Sequence, residues 1–375
     1  MTPLALYVHI PWCAQKCPYC DFNSHQQRGE LPEQRYLAQL LADLETDVVL
    51  AGQRKLSTLF VGGGTPSLMS AAFYQALLEG IDQRIGIARD AEITLEANPG
   101  SSEYAKFRDF RTAGINRLSI GVQSFNNQML AMLGRIHDAD TAHIAIRAAQ
   151  SAGFDRLNID LMHGLPGQNP RSATHDLTTA LQFETGHISW YQLTIERNTA
   201  FWRSPPILPV DDILADIQDD GLQQLDAAGY AHYEVSAFAR DAHRCRHNLN
   251  YWQFGDYLGI GAGAHGKLSL SDGTVLRTRK TRVPEDYLNH SVERLRITET
   301  VPTDELPLEF LMNALRLRDG VPMALFEQRT GHPIDAIIDT VNELRHEGLL
   351  VADENRLQSS ALGFRFLDSV LTRFS

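Results

Sequence analysis

The alternation of apolar runs and amphipathic stretches over the first 235 residues constrains the fold more than any other feature. Short runs rich in β-branched residues are separated by segments of helical periodicity, at a spacing of roughly 30 to 40 residues. Strands that alternate with helices in this way form βαβ units and a parallel sheet, so the sequence predicts an α/β fold. The predicted strands cover residues 4–9, 58–61, 92–96, 117–122, 157–162 and 188–195. The predicted helices cover residues 36–50, 72–85, 102–113, 140–152 and 172–183.

The composition and periodicity of the sequence change twice after this alternation, which predicts three parts: an α/β core over residues 1–235, a connecting region over 236–300 and a C-terminal helical domain over 301–375. Residues 272–282 read as a turn and an edge strand. Helical runs at 304–317, 322–329 and 334–347, followed after Gly348 by a short strand–turn–strand and a final helix, resemble a winged helix. Residues 300–375 carry twelve Asp and Glu against seven Lys and Arg, a net of −5 that disfavours a phosphate-binding face. A structural or partner-docking module is the favoured interpretation.

Composition narrows the class of protein further. The net charge of −12 argues against broad nucleic-acid binding, for which a basic footprint is expected. Apolar runs all fall short of the about 18 residues that a membrane span requires, and no export signal is apparent at the N-terminus. Three of the four cysteines are clustered, so a disulfide framework is excluded and a reducing compartment is implied. We therefore expect a cytoplasmic protein that does not itself span a membrane.

The cysteine cluster lies in the segment LYVHIPWCAQKCPYCDFNS, directly after the first predicted strand. Cys13, Cys17 and Cys20, spaced C-x3-C-x2-C, can ligate three of the four irons of an iron–sulfur cube. No fourth cysteine lies nearby, which leaves one iron open to a small molecule. A structural zinc site completed by His9 or His25, or a buried thiol cluster, is the alternative, although this spacing is unusual for zinc.

Polar residues at the ends of the later strands could converge on one ligand. Gly62-Gly63-Gly64-Thr65-Pro66 follows the second strand, where glycines allow close approach of the backbone to a ligand. Carboxylates suit ribose hydroxyls, glutamine suits an amide or hydroxyl partner, and arginine suits a carboxylate. Capping of helices at a solvent-facing edge is the alternative role for each of them. The residues concerned are Glu96, Gln123, Arg135 and Asp160.

Taken together, the motifs YVHIPWCxxxCPYCDF, GGGTP, EANPG, GVQSF, LGRIH and DLMHGLP resemble the coproporphyrinogen-dehydrogenase-like branch of the radical S-adenosylmethionine (SAM) enzymes over nearly the whole chain. The resemblance implies an open, partial (β/α)6 barrel with a C-terminal helical, winged-helix-like module. It also implies that Cys13, Cys17 and Cys20 hold a [4Fe–4S] cluster whose open iron is chelated by SAM. In addition, Tyr19 would shield the cluster. The residues that would contact SAM are Tyr7, Gly63, Gly64, Thr65, Glu96, Gln123, Arg135 and Asp160.

Within this branch the chain is most similar to the HemW group, which is regarded as a group of heme chaperones. Cys20-Asp21-Phe22 stands where the decarboxylating relatives have a C-x-C extension, and their longer N-terminal arm has no counterpart before Cys13. The segment His247-Asn248-Leu249-Asn250-Tyr251-Trp252 matches the HNxxYW motif of that group. It offers an imidazole for heme iron and two rings that can cover a porphyrin. His247 is the expected heme ligand, with Cys245 and His265 left open as alternatives.

The resemblance therefore implies a protein that binds heme and transfers it to an acceptor, which could be a membrane respiratory enzyme. The alternative is a radical SAM oxidoreductase that acts on a tetrapyrrole, in the manner of coproporphyrinogen III dehydrogenase. A binding module that keeps its cluster only as a structural or redox-sensing element is the third class. SAM turnover separates the oxidoreductase from the other two, and heme uptake separates the chaperone from the binding module.

Overall fold

A twelve-stranded sheet forms the framework of the chain in the computed structural model, which describes residues 2–240 and 242–374. Two pairs of very short strands lie outside that sheet. In chain order the strands are β1 Leu4–Ile10, β2 Trp12–Cys13, β3 His25–Gln26, β4 Leu56–Gly63, β5 Ile87–Ala97, β6 Arg117–Gln123, β7 Arg156–His163, β8 Gly186–Gln192, β9 Ala231–Glu234, β10 Ala237–Ala239, β11 Asp256–Ile260, β12 His265–Ser269, β13 Val275–Lys280, β14 Arg296–Thr300, β15 Val321–Pro322 and β16 Arg356–Leu357.

The centre of the sheet is parallel and both of its flanks are antiparallel. Strands run in the order β14-β13-β12-β11-β1-β4-β5-β6-β7-β8-β10-β9, and every pairing from β11 to β8 is parallel. Within the part of the chain that is described, β14 and β9 are the edges, so the sheet stays open. The predicted α/β class with an open parallel barrel is confirmed, because each of the six predicted strands forms in this centre. The central strands are buried along most of their length, as expected where helices cover a parallel sheet.

Helices connect successive parallel strands and cover the sheet. In chain order they are α1 Glu33–Ala51, α2 Ala71–Ile85, α3 Ser101–Tyr104, α4 Phe107–Thr112, α5 Asn127–Met132, α6 Ala139–Ser151, α7 Pro170–Leu181, α8 Ala200–Arg203, α9 Asp211–Ala227, α10 Arg246–Trp252, α11 Pro284–Asn289, α12 Val292–Leu295, α13 Leu306–Ala314, α14 Ala324–Thr330, α15 Ile338–His346, α16 Ala361–Arg365 and α17 Leu367–Leu371. Short 3₁₀ turns occur at Pro66–Leu68, Thr303–Glu305, Ile334–Ala336 and Thr372–Phe374.

Capping residues explain where several of these helices begin. The side chain of Asp138 accepts a hydrogen bond from the backbone of Thr141 at the start of α6, and Ser70 caps α2 in the same way. Asn169 and Ser172 form a reciprocal capping box at α7, which has Pro170 in its first turn. The prediction of a single helix over residues 102–113 was wrong in detail, because two separate short helices, α3 and α4, form there.

Residues 236–300 extend the sheet instead of forming a separate layer. Strand β11 pairs in parallel with β1, and β12, β13 and β14 then add to its other side in antiparallel register. The strand expected within residues 272–282 forms as β13. It is not the edge strand that was predicted, because β14 pairs with it on its outer side. The helix α10, which carries the HNLNYW motif, follows β10 and precedes β11 along the chain.

The C-terminal part has its own apolar core around Phe310, Phe326 and Leu344, to which Phe254 and Val275 of the preceding region also belong. Its wing is small: β15 pairs with β16, and Leu350 forms an isolated bridge with Ser359. None of the helices in residues 2–240 and 242–374 combines the length and apolar character needed to cross a bilayer.

Candidate functional site

The cysteine loop leaves the end of β1 and is fixed by the glycine run that ends β4. The backbone N–H groups of Gly64 and Thr65 donate to the carbonyl oxygens of Ile10 and Trp12, each at 2.7 Å. A Cβ on Gly64 would stand 2.5 Å from the Trp12 oxygen, so only glycine permits this approach. The GGGTP segment therefore positions the loop that carries the cysteines.

All three clustered cysteines are free thiols, and none is paired in a disulfide. Cys13 is buried, whereas Cys17 and Cys20 are partly exposed. Burial raises the pKa of the Cys13 and Cys20 thiols above the ordinary value. The guanidinium of Arg135 lies 3.6 Å from the sulfur of Cys17. Thiolates are the form that binds iron.

The zinc alternative finds little support in the histidines that could complete it. His9 Nε2 donates to the carbonyl oxygen of Asn23 at 2.8 Å, and its Nδ1 accepts from the Tyr7 hydroxyl at 3.0 Å. His25 Nε2 lies 3.3 Å from the Asn23 amide oxygen. Both nitrogens of His9 are therefore engaged within the protein, and burial lowers its pKa to about 4.

A cavity of 460 Å³, here called the cysteine cavity, brings the three thiols together with the strand-end residues. This is the juxtaposition that the strand-end argument predicted, because the carboxyl ends of parallel strands meet at one side of the sheet. Its lining includes Cys13, Cys17, Cys20, Gly63, Gly64, Thr65, Glu96, Gln123, Arg135 and Asp160.

Two carboxyl groups form the polar floor of the cysteine cavity. Glu96 accepts a hydrogen bond from the backbone nitrogen of Gly63 at 3.1 Å, and burial together with the nearby Asp160 raises its pKa to about 8. Asp160 accepts from the Ser119 hydroxyl at 2.8 Å and from the Asn158 amide at 2.7 Å, while burial raises its pKa as well. Two carboxyl groups with raised pKa values in one cavity are typical of a functional site.

Arg135 and Gln123 are held in place by neighbours that the sequence did not single out. Arg135 donates to the Asn98 side chain and to the Gly121 carbonyl, each at 2.7 Å. Asn98 in turn donates to the Thr65 hydroxyl at 3.0 Å. These contacts connect the ends of three strands through one guanidinium, which fixes its orientation at the cavity.

Gln123 has a left-handed backbone with φ of 69°, a conformation that residues other than glycine seldom adopt. Its side-chain oxygen accepts from the Tyr191 hydroxyl at 2.8 Å. Strain of this kind concentrates at functional sites. Tyr191, Ser119 and Asn98 were missed by sequence reasoning, although Asn98 lies within the EANPG motif and Ser119 stands two residues before the GVQSF motif.

A second cavity of 590 Å³, here called the aromatic cavity, adjoins the cysteine cavity, and both are lined by Phe22, Gly63 and Glu96. Tyr7, which was expected beside SAM, lines the aromatic cavity and not the cysteine cavity. The remainder of its lining is His9, Asn23, Tyr251, Trp252, Phe254, Gly255, Tyr257, Gly263, His265, Lys267, Arg277, Arg282 and Asn313.

The HNLNYW helix contributes its two large rings to the aromatic cavity but not its histidine. His247 is 1% exposed, with Nδ1 2.9 Å from the Thr58 hydroxyl and Nε2 2.8 Å from the Tyr251 hydroxyl. Burial lowers the pKa of His247 to about 3. Cys245 is buried as well, 3.7 Å from a carboxylate oxygen of Glu92, and burial raises its thiol pKa to about 11. Iron ligation by His247 or Cys245 stays a prediction.

The residues of the cysteine cavity fit an iron–sulfur cluster and a polar organic ligand. Three free thiols on one loop suit three irons, and the adjoining glycine backbone, carboxyl groups, amide and guanidinium offer both donors and acceptors. Together with the open parallel sheet, this arrangement defines the chain as a radical SAM protein.

Comparison with known proteins agrees with this class. The family model "Radical SAM superfamily" matches residues 7–178, and the model "HemN C-terminal domain" matches residues 301–366. "Heme chaperone HemW" of Escherichia coli strain K12 is 48% identical over 374 residues, covering 100% of this chain and 98% of that protein. The Haemophilus influenzae protein of the same name is 47% identical over 378 residues, covering 100% and 98%. The chain belongs to the HemW family.

Two further similarities extend the comparison. "Radical S-adenosyl methionine domain-containing protein 1, mitochondrial" of Bos taurus is 37% identical, covering 98% of this chain and 86% of that protein. The solved structure of coproporphyrinogen III oxidase (HemN) from Escherichia coli superposes with a TM-score of 0.82 at 24% identity, covering 100% of this chain and 90% of that one. At this identity the second similarity establishes the shared fold alone.

Proposed function

We propose that this chain is a heme chaperone, which binds heme and transfers it to an acceptor protein and carries a [4Fe–4S] cluster and SAM. The observation that carries the proposal is the adjoining pair of cavities, one lined by three thiols and polar strand ends and the other by aromatic rings. The relatives named heme chaperone, which match over the full length of the chain, support heme as the cargo.

Within the cysteine cavity, Cys13, Cys17 and Cys20 would hold the cluster, and the strand-end residues line the same cavity. When bound, the cluster and SAM together supply one-electron chemistry. The residues of this chain would orient SAM: Arg135 suits its carboxylate, and the carboxyl groups suit its amino group and ribose hydroxyls. The full set that would contact SAM is Tyr7, Gly63, Gly64, Thr65, Glu96, Gln123, Arg135 and Asp160, with Tyr7 placed in the adjoining aromatic cavity.

The aromatic cavity would hold the heme. Tyr251, Trp252 and Tyr257 offer ring faces and edges of the size needed to cover a porphyrin. A volume of 590 Å³ lies within the range of roughly 300–1,000 Å³ that is usual for ligand cavities. The shared wall of Gly63 and Glu96 would bring heme and SAM next to each other.

The proposal also includes the acceptor of the heme, the location of the chaperone and the division of the chain into three parts. The acceptor would be a heme protein, and a membrane respiratory enzyme is the specific class that we propose. The chaperone itself would be cytoplasmic. Residues 1–235 would bind the cluster and SAM, residues 236–300 would carry the HNxxYW motif, and residues 301–375 would complete the molecule as a helical domain.

The oxidoreductase alternative is not favoured. Oxidation of coproporphyrinogen is named for a protein of the same fold at 24% identity, whereas the relatives at 47% and 48% identity carry the chaperone name. Asp21 and Phe22 follow Cys20 in this chain, so the C-x-C extension of the decarboxylating enzymes is missing.

The proposal is tested by reconstituting the cluster anaerobically and titrating heme with and without SAM. We expect about one heme per chain, because the chain offers one aromatic cavity for it. The Soret band of the bound heme should differ from that of free heme. The loaded protein is then mixed with membranes from heme-depleted cells, and recovery of b-type cytochrome spectra measures transfer. Failure to bind heme, or catalytic conversion of coproporphyrinogen III to protoporphyrinogen IX, would overturn the proposal.

A further inference from the structure

The aromatic cavity contains a histidine whose imidazole is free. Among the residues that the structure describes, no hydrogen bond or ion pair engages the side chain of His265, although it lines the cavity. His9 also lines the cavity, but both of its nitrogens are engaged by Asn23 and Tyr7. His247 lies outside the lining with both nitrogens engaged. Of these three imidazoles, His265 alone can accept iron without breaking a contact.

The sheet fixes the position of His265. It is the first residue of β12, where it pairs with Arg279 of β13. Gly259 of β11 has no side chain, and a Cβ there would stand 1.9 Å from the His265 carbonyl oxygen, so the two strands approach closely only because of this glycine. Strand pairing fixes the backbone position of His265, and a metal ligand needs such a rigid attachment.

The surroundings of His265 favour the neutral imidazole, which is the form that binds iron. Partial burial lowers its pKa, and the guanidinium groups of Arg279, Arg282 and Arg277 lower it further. A neutral ring near several cations is suited to a ligand that combines a metal with carboxylate groups.

Arg282 is the second unpaired group of this cavity. Arg277 forms an ion pair with Glu309, and Arg279 forms one with Glu299 at 2.9 Å. Within residues 2–240 and 242–374, no acceptor is recorded for the Arg282 guanidinium, which lines the cavity and is exposed. An arginine without a protein partner at a cavity entrance suits a ligand carboxylate, and heme carries two such groups as propionates.

The aromatic walls supply the remaining element of a porphyrin site. Tyr251 and Tyr257 pack edge to face with ring centroids 4.5 Å apart, and Trp252 adjoins Tyr251 in the same helix. Phe22 is 60% exposed and lines the same cavity, so it places an uncovered ring at the entrance. Large apolar rings that border a solvent-accessible cavity gain free energy when a flat hydrophobic ligand covers them.

We propose that the heme of this chaperone lies in the aromatic cavity with His265 as the protein ligand to its iron and Arg282 as the partner of a propionate. This inference rests on the proposed function and deepens it, because it assigns the site and the ligand. His247 then has a different role: its hydrogen bonds to Thr58 and Tyr251 hold the HNLNYW helix so that Tyr251 faces the cavity.

The iron ligand is tested by heme titration of the full-length, cluster-loaded protein and of His265→Gly. We expect His265→Gly to lose the wild-type Soret position and to regain it when free imidazole is added, since imidazole can occupy the space of the missing ring. His346→Ala is the matched control, because this exposed histidine lies on α15 and not at the cavity. It should behave as the wild type does.

The same titration is run on His247→Ala, whose unfolding is measured in parallel. A wild-type Soret position in His265→Gly, or imidazole rescue confined to the His247 variant, would overturn the assignment while leaving heme binding intact. Absence of heme binding in the wild-type protein would instead refute the proposed function itself. The two failures are therefore distinguishable.

The propionate contact is tested with heme and with heme dimethyl ester, whose propionates carry no charge. The wild type should bind heme roughly tenfold to a hundredfold more tightly than the ester, as expected for a charge-assisted hydrogen bond. Arg282→Gln should bind the two equally. Arg279→Gln removes the same charge three residues earlier, in β13 and outside the cavity lining, and should keep the preference. Equal preference in Arg282→Gln and wild type would contradict the role of Arg282.

Discussion

The carboxylate oxygen Oε2 of Glu96 lies 3.1 Å from the backbone nitrogen of Gly63, and both residues line the cysteine cavity and the aromatic cavity. Gly63 ends β4 and Glu96 is the last residue but one of β5, so the contact joins two neighbouring strand ends. This hydrogen bond therefore joins two residues that both cavities share. A charge placed on Glu96 acts on both cavities.

The stability of the protein without ligands should depend on pH through Glu96. Its pKa is about 8 in the folded chain, against 4.5 for an ordinary glutamate. The folded chain therefore retains a proton that the unfolded chain releases, and the free energy of unfolding should fall as pH rises between these two values. Glu96→Gln should make this fall less steep. Relative to the wild type, the free energy of unfolding of the variant should therefore be higher at about pH 8 than at about pH 4.5. Chemical denaturation across the range measures both slopes, and parallel slopes would show that Glu96 ionises normally.

SAM binding should depend on the second carboxyl group, Asp160. Asp160→Asn removes a charge that would meet the ligand, and we expect binding weaker by roughly 1.5–3 kcal/mol with unchanged iron content. Asp176 gives a matched control, because this buried carboxyl accepts from Ser124 and from the backbone of Phe125, each at 2.7 Å, away from the cavity. Asp176→Asn should bind SAM as the wild type does. Calorimetry on the reconstituted protein checks both variants, and equal affinities would restrict Asp160 to a role in packing.

Iron content should depend on three of the four cysteines. After anaerobic reconstitution we expect about four irons and four sulfides per chain, and Cys13→Ala, Cys17→Ala or Cys20→Ala should each abolish the visible absorbance of the cluster. Cys245 is buried against Glu92 and does not line the cysteine cavity, so Cys245→Ala should retain the iron. Loss of iron in Cys245→Ala would contradict the argument for an open iron position.

The sequence predicted the fold and the cysteine cavity well because both depend on local periodicity. Alternating strands and helices imply a parallel sheet, and a parallel sheet gathers its strand ends on one side. Glu96, Gln123 and Asp160 therefore fall beside the cysteines, as expected from their positions at successive strand ends. Arg135 is not at a strand end but follows helix α5. Its hydrogen bonds to Asn98 and Gly121 hold its side chain at the same cavity.

The aromatic cavity could not be derived in the same way, because it depends on a pairing between distant segments. Strand β11 has only five residues and pairs with β1 at the start of the chain, which no local pattern indicates. That pairing carries β12 and β13 with it, and so brings His265 and Arg282 to Tyr251. Burial of His247 was likewise invisible, since the sequence does not show that Thr58 and Tyr251 would engage both nitrogens.

Assembly of the cluster should also depend on Gly64, although this residue has no side chain that could ligate iron. A Cβ at this position would stand 2.5 Å from the carbonyl oxygen of Trp12 and 3.0 Å from that of Ile10, both of which belong to rigid backbone. Gly64→Ala should therefore displace the cysteine loop, lower the temperature of unfolding and reduce the iron bound after reconstitution. Gly153→Ala is the control: its φ of 82° strains an alanine, but nothing lies within 4 Å of the added Cβ. This variant should lose stability by about 1 kcal/mol and still bind a full complement of iron. Full iron content in Gly64→Ala as well would show that the cysteine loop folds independently of the GGGTP segment.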